Sequence, residues 1–257
     1  MLTYRNTNIF FGLILLVLAV SDYFYNIHWL AYLLIVFLYS LVLFYGCSFI
    51  NSNFFLPVIC DANTREKEIA ISFDDGPVEN YTPQILQVLK EHDVKAAFFC
   101  IGNRIKPQSG IFKVLHDEGH IIGNHSYSHH FFFDLFSWGS MLSELQLTNR
   151  IIEEETGLRV KLFRPPYGVI NPNLKKAIEK GKYTTVGWSV RSMDTKIKDK
   201  NKLLEKVNSS LKPGAVFLFH DTSATTLAIL PSFIQRAKES GYKIVRLDKM
   251  LNVQAYA

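Results

Sequence analysis

The sequence predicts an α/β protein, a distorted or incomplete (β/α) barrel of about seven parallel strands behind an N-terminal transmembrane helical hairpin. Three observations carry this expectation. Through Cys60 the only formal charges are Arg5 and Asp22, although the whole chain has 28 Lys and Arg against 23 Asp and Glu. From residue 66 onward, β-rich apolar runs alternate with amphipathic stretches, the pattern of parallel βα units. Several of those runs end in Asp, His or Arg, and βα barrels collect their chemistry at the C-terminal ends of strands. About 190 residues is short for a full eight-fold barrel, so an open doubly wound sheet is the runner-up.

The N-terminal region, 1–50, contains two apolar runs, expected as helices over about 8–25 and 28–47. The second (WLAYLLIVFLYSLVLFYG) has the length of a span. The first (IFFGLILLVLAV) reaches it only with its flanks, and Tyr23, Phe24, Tyr25 and Trp29 lie where an aromatic belt would sit. A cleaved signal peptide ending at Ala19-Val20-Ser21 is the alternative for the first run. Either way the chain is expected at the lipid bilayer, as a multi-pass protein if both runs span. Sidedness is contested: Arg5 favours a cytoplasmic N-terminus, whereas access to an extracellular substrate favours an extracytoplasmic domain.

Residues 51–65 read as a connector and 66–257 as the catalytic domain. Expected strands are Glu68–Phe73, Ala96–Ile101, His120–Asn124, Leu162–Arg164, Thr184–Val190, Ala215–His220 and Lys243–Leu247. Between them, Thr82-Pro83 reads as a helix N-cap with Pro at the first position. Further helices are expected over Phe136–Glu155, Asn171–Lys180, Asn201–Leu211 and Thr226–Ser240, the last stopped by Gly241. The composition excludes a disordered, collagenous or coiled-coil chain, and three Cys are too few for a disulfide framework. Cys60 and Cys100 read as a connector thiol and a buried strand residue rather than a bridge. The net charge of +5 forms no basic stripe interleaved with aromatics, so nucleic acid is not an expected partner.

The chemistry begins where EIAISF ends in Asp74-Asp75-Gly76-Pro77. Two adjacent carboxylates at a strand end can divide the work, one binding a metal and one accepting a proton, although Asp-Asp-Gly-Pro alone is also a turn signal. His125 and His129 share a face if their turn is helical and would then meet one cation; His130 points elsewhere, toward a structural or rim position. Arg164 at a Pro-Pro turn reads as a fixed positive charge, and His220 follows an apolar strand. The convergence of two carboxylates, His residues and Arg on one rim is the functional signal.

Taken in order, FDDGP, HSYSH, FRPPYG and the strand-terminal LFH resemble the motifs of the polysaccharide deacetylases, the NodB-homology domain of carbohydrate esterase family four. The resemblance covers Glu66 to Leu251. It implies metal-dependent hydrolysis of N-acetyl groups on an amino-sugar glycan, such as peptidoglycan, a chitin-like polymer or an exopolysaccharide. By position, it implies Asp74 as general base and Asp75, His125 and His129 as ligands of one divalent metal, Zn2+ first, with Co2+, Ni2+ or Mn2+ as substitutes. It also implies Arg164 holding Asp74, the Tyr167 N–H donating to the oxyanion, and His220 as general acid oriented by Asp194. Pro166, Trp188 and Leu218 would then lie on the substrate side.

One motif departs from the family's Asp-Ser/Thr-x-Asp-Trp, reading Arg191-Ser192-Met193-Asp194-Thr195. The orienting acid remains, but Arg191 and Thr195 replace an Asp and a groove Trp. Arg191 suits an anionic group on the substrate, or is simply a solvated surface charge. A deacetylase or deformylase of a lipid-linked or small amide, and an inactive glycan-binding relative, are therefore the alternatives.

Overall fold

The computed structural model describes residues 2–257. Helix α1 (Tyr4–Tyr25) is capped by the Thr3 hydroxyl and stops at Asn26 in the left-handed region, and α2 (Leu30–Ser48) returns beside it. Both are long and apolar enough to cross a membrane, and little of either is buried in the protein. Two polar pairs join the helices. The Tyr39 hydroxyl donates to Asn8 Oδ1 at 2.8 Å and the Tyr32 hydroxyl to Asp22 Oδ2 at 3.2 Å.

The alternation then follows as β1 (Glu68–Asp74), α3 (Thr82–Glu91), β2 (Ala97–Cys100), a one-turn α4 (Gly102–Ile105), α5 (Ser109–Asp117), β3 (Ile121–Asn124) and α6 (Trp138–Thr156). It continues as β4 (Leu162–Phe163), α7 (Pro172–Gly181), β5 (Thr184–Thr185), β6 (Val190–Arg191), α8 (Lys200–Ser209), β7 (Ala215–His220), α9 (Ala224–Glu239), β8 (Lys243–Ile244) and α10 (Leu247–Leu251). The strands pair in parallel in the order β5-β4-β3-β2-β1-β7-β6, with β8 beside the start of β1. The expected strand Thr184–Val190 is in fact two strands on opposite edges of the sheet, β5 and β6. Only four residues join them, so the sheet must curl until its edges nearly meet.

The gap is filled by the segment read as a connector. Ile59 bridges Val186 and exchanges hydrogen bonds with Thr185 O and Gly187 N, and Asp61 bridges Ala215. Phe54, Phe55, Leu56, Val58 and Cys60 are buried in a cluster with Phe163, Ile170 and Leu174. Residues 54–61 of this connector are thus built into the barrel wall. The three cysteines are free thiols.

Strand alternation sorts the rest. In β1 and its neighbours, Ile69, Ile71, Phe73, Phe98, Phe217 and Phe219 pack outward with the helices, whereas Ala70, Ala97, Phe99 and Val216 form a separate cluster closed by Leu247 and Ala255. The small residues on that second face leave room for polar groups near the strand ends. Thr82 is not the cap of α3. It is the first helical residue, with Tyr81 before it and Pro83 after it, and its hydroxyl serves Asp221 and the Val78 N–H.

Candidate active site

The register of β1 with β7 sets Asp74 opposite His220, and its register with β2 sets Asp74 opposite Phe99. Asp74 is therefore placed at the mouth by the same period-two pleat that buries Ala70 and Ser72 below it. Arg164 directly follows β4 and is fully buried. Its Nη1 donates to Asp74 Oδ1 and to Ser72 Oγ, both at 2.8 Å, Nη2 to Gly187 O at 2.7 Å and Nε to Val186 O at 3.2 Å. The guanidinium lies 4.0 Å over the Phe99 ring. A buried cation is tolerable only when its donors are used in this way. The two carbonyls come from the very segment that crosses between the sheet edges.

Asp75 adopts φ +80°, a conformation unfavourable for a residue with a side chain. Arg104 of α4 supports it by donating to the Asp75 carbonyl at 2.7 Å. Behind the turn, Asp221 is packed so closely that a Cβ on Gly76 would stand 1.8 Å from Asp221 Oδ2, which requires glycine there. Burial raises the Asp221 pKa to about 7, against the lowering effect of its Thr82 hydrogen bond.

His125 and His129 come together, though not through a helical turn. Ser126 has φ +62° and His129 φ +47°, and the loop folds back on itself. Glu144 of α6 holds it, accepting from Tyr127 N, Ser128 N and the Ser128 hydroxyl. Asp75 Oδ1 is 3.5 Å from His125 Nε2 and 3.4 Å from His129 Nε2. A tetrahedral cation about 2.0–2.2 Å from each donor separates neighbouring donors by roughly 3.4 Å, so the set fits one such ion. His125 Nδ1 lies 2.8 Å from the Arg164 carbonyl. When Nδ1 donates there, Nε2 is left with its lone pair toward the metal position. Burial opposes ionisation of Asp75, but hydrogen bonding and charge from His125, with His220 and His129, hold its pKa well below the carboxylate range. Burial and the neighbouring His125 push His129 down, toward the neutral imidazole that ligates.

Across the mouth, His220 Nδ1 is 2.8 Å from Asp194 Oδ1, and the His220 N–H donates to Asp194 Oδ2 at 2.7 Å. Asp194 is also bonded by the Thr226 and Ser192 hydroxyls and the Thr195 N–H. Burial disfavours the imidazolium, but Asp194, assisted by Asp74 and Asp75, outweighs it and raises the His220 pKa to about 9. The imidazole is thus protonated at neutral pH.

The remaining expected residues fall around this mouth. Tyr167 sits in a 3-10 turn, Pro166–Gly168, at φ +59°, and its ring centroid is 4.8 Å from that of His129. Pro166 is buried in the same turn. Trp188 packs against Gly168, where a Cβ would lie 2.6 Å from the indole. Leu218 is buried on β7 beside Arg191 of β6. His130 is at the rim and stacks near Phe136 at 5.3 Å. Sequence reasoning missed Thr226, Arg104 and Ser72, whose partners are distant in the chain and leave no local pattern.

An α/β barrel with this donor set at its strand ends is a hydrolase scaffold. The polysaccharide deacetylase profile matches residues 61–186. The peptidoglycan-N-acetylmuramic acid deacetylase of Bacillus subtilis is 36% identical over 193 residues, which is 74% of this chain and 73% of that protein. A peptidoglycan-N-acetylglucosamine deacetylase of Listeria monocytogenes is 33% identical, over 79% of this chain and 42% of its own length. Among solved structures, a peptidoglycan N-acetylglucosamine deacetylase superposes with a TM-score of 0.73 at 31% identity, covering 78% of this chain and 95% of that one. A family-four pseudoenzyme from Bacillus anthracis superposes with a TM-score of 0.70 at 31% identity, covering 76% and 69%. The chain belongs to the polysaccharide deacetylase family.

Proposed function

We propose that the chain is a membrane-anchored, metal-dependent deacetylase of an N-acetylated amino-sugar glycan. The similarity to a pseudoenzyme means that the fold alone does not imply turnover. The observation that carries the reading is the facing arrangement of Asp74 and the His220–Asp194 pair on adjacent strands, with Asp75, His125 and His129 beside them.

Asp75, His125 and His129 would hold one divalent ion, Zn2+ before Co2+, Ni2+ or Mn2+, since two imidazoles and one carboxylate form a borderline donor set. When bound, the ion supplies Lewis acidity toward water and the amide carbonyl. Asp74, held by Arg164, accepts the proton of the attacking water. The backbone N–H of Tyr167 donates to the developing oxyanion, a kind of contact worth about 3–4 kcal/mol per donor in well-studied hydrolases. His220, protonated through Asp194, delivers its proton to the sugar nitrogen as the amine departs. Pro166, Trp188 and Leu218 shape the wall for the sugar.

The apolar hairpin anchors the domain, and the peptidoglycan substrates named for its relatives favour a domain outside the cytoplasmic membrane. The test is acetate release by the purified full chain from chitotetraose, peptidoglycan and a soluble N-acetylated exopolysaccharide. Release from at least one, abolished by chelation and restored by Zn2+, is expected. No release from any of them, with the metal site filled, would refute the reading.

A further inference from the structure

A cleft of about 520 Å³ lies between the end of α2 and the catalytic rim. Its lining includes Ser48 and Asn51, where α2 leaves its apolar stretch, together with Tyr167, Trp188, Arg191 and Lys212, and one carboxylate, Asp61. The Tyr167 ring also touches His129, so the cleft and the metal triad share a wall.

The hairpin is fixed in this position. Ile170 N donates to Cys47 O at 3.1 Å, Tyr4 N donates to Phe54 O at 3.0 Å, and the Tyr4 ring packs 5.1 Å from that of Phe55. Val42, Leu43 and Cys47 of α2 pack on the cluster that contains Phe133 and Ile170. The mouth of the barrel therefore sits at the level where α2 ends. If α2 spans a bilayer, that level is the headgroup region.

The rim is apolar where it continues past His129. Phe131, Phe132 and Leu135 are 75%, 53% and 78% exposed, while Phe133 between them anchors the loop to the cluster beside α2. Exposed aromatics beside a membrane helix suit the interface.

The cleft itself is polar and carries Arg191 and Lys212 against a single carboxylate, Asp61. Neither cation forms an ion pair among the described residues. The Arg191 guanidinium stands 5.7 Å from the Trp188 ring, which keeps it at the wall of the cleft. A planar guanidinium with open donors is suited to phosphate.

We propose that this cleft binds the phosphate of a lipid-anchored amino-sugar phosphate, so that the substrate reaches the metal triad while still held in the membrane. The proposal rests on the deacetylase and membrane-anchor readings given above. It assigns a role to Arg191, the position at which the fourth motif departs from its family.

The test uses the full chain in detergent micelles and three probes: N-acetylglucosamine joined to a farnesyl chain through a diphosphate, the same sugar and chain joined by a neutral glycosidic bond, and inorganic pyrophosphate. The diphosphate lipid should bind at least ~10-fold more tightly than the neutral lipid, the scale of one or two charge-assisted hydrogen bonds. In an Arg191→Ala, Lys212→Ala double variant that ratio should fall to about one, while Arg191→Lys should retain most of it. The neutral lipid serves as the folding control within each variant. Equal affinity for the two lipids in the unaltered protein, or a preference that survives the double substitution, would overturn the proposal. Pyrophosphate binding as tightly as the diphosphate lipid would overturn the lipid-anchored part. Acetate release from chitotetraose is measured in parallel. Its absence from chitotetraose, from the other glycans above and from the diphosphate lipid itself, with the metal site filled and the binding preference intact, refutes the deacetylase reading and leaves the cleft's ligand standing.

Discussion

Replacing Asp194 with Asn tests how the acid is kept charged. The His220 pKa is raised from its ordinary 6.5 to about 9, a difference of about 3 kcal/mol in favour of the imidazolium. Burial works against this, and Asp194 is the leading favourable influence, so the isosteric amide should return the pKa to 6.5 or below. At pH 8 the protonated fraction would fall from roughly nine-tenths to about 3%, a ~30-fold loss of the competent acid. The sign is that of a cation stabilised by a partner. The pair's contribution is complete below about pH 6.5 and is lost as pH rises through about 9. The assay is kcat/KM for acetate release from chitotetraose across pH 5.5–10, with metal content measured at each end. The alkaline limb should sit near 9 in the unaltered protein and near or below 6.5 in Asp194→Asn. An alkaline limb that stays near 9 in the variant would show that His220 is not the acid or that Asp194 does not set its charge.

Arg164→Met should lower stability by about 3–5 kcal/mol in chemical denaturation, because Asp74 is left buried without its partner. Adding Asp74→Asn should recover part of that loss, and a purely additive double variant would contradict the pairing. The His125→Ala, His129→Ala double variant should contain no stoichiometric metal by elemental analysis; an unchanged content would dismiss the triad. Protease added to intact spheroplasts should degrade the catalytic domain, whereas degradation only after lysis would place it in the cytoplasm.

The runs that become β1, β2 and β7 were legible because they are almost continuously apolar, the mark of a buried parallel strand, and β1 and β7 end in Asp74 and His220. TTVGWSV is equally strand-like by composition, yet its chain crosses from one sheet edge to the other. Gly187 permits the crossing, since a Cβ there would lie 2.7 Å from Cys60 Sγ. No periodicity reveals that a strand-like run changes edges. Helix α5 carried a readable signal in Ile111, Phe112 and Leu115 but lies in a stretch with no strong cap. His125 and His129 do come together, but through a loop with two left-handed residues rather than the helical turn the spacing suggests. The catalytic candidates were visible as motifs, whereas Thr226 and Arg104 act across 32 and 29 residues of chain and could be found only in three dimensions.

The central claim is that Asp74 and Asp75, adjacent in the chain, have separate tasks. The direct measurement is metal content and acetate release in the same preparations of Asp74→Asn and Asp75→Asn. The account predicts that Asp74→Asn keeps its metal and loses ~10²–10⁴-fold in turnover, while Asp75→Asn loses both. Near-normal turnover in Asp74→Asn, or full metal content in Asp75→Asn, would contradict it.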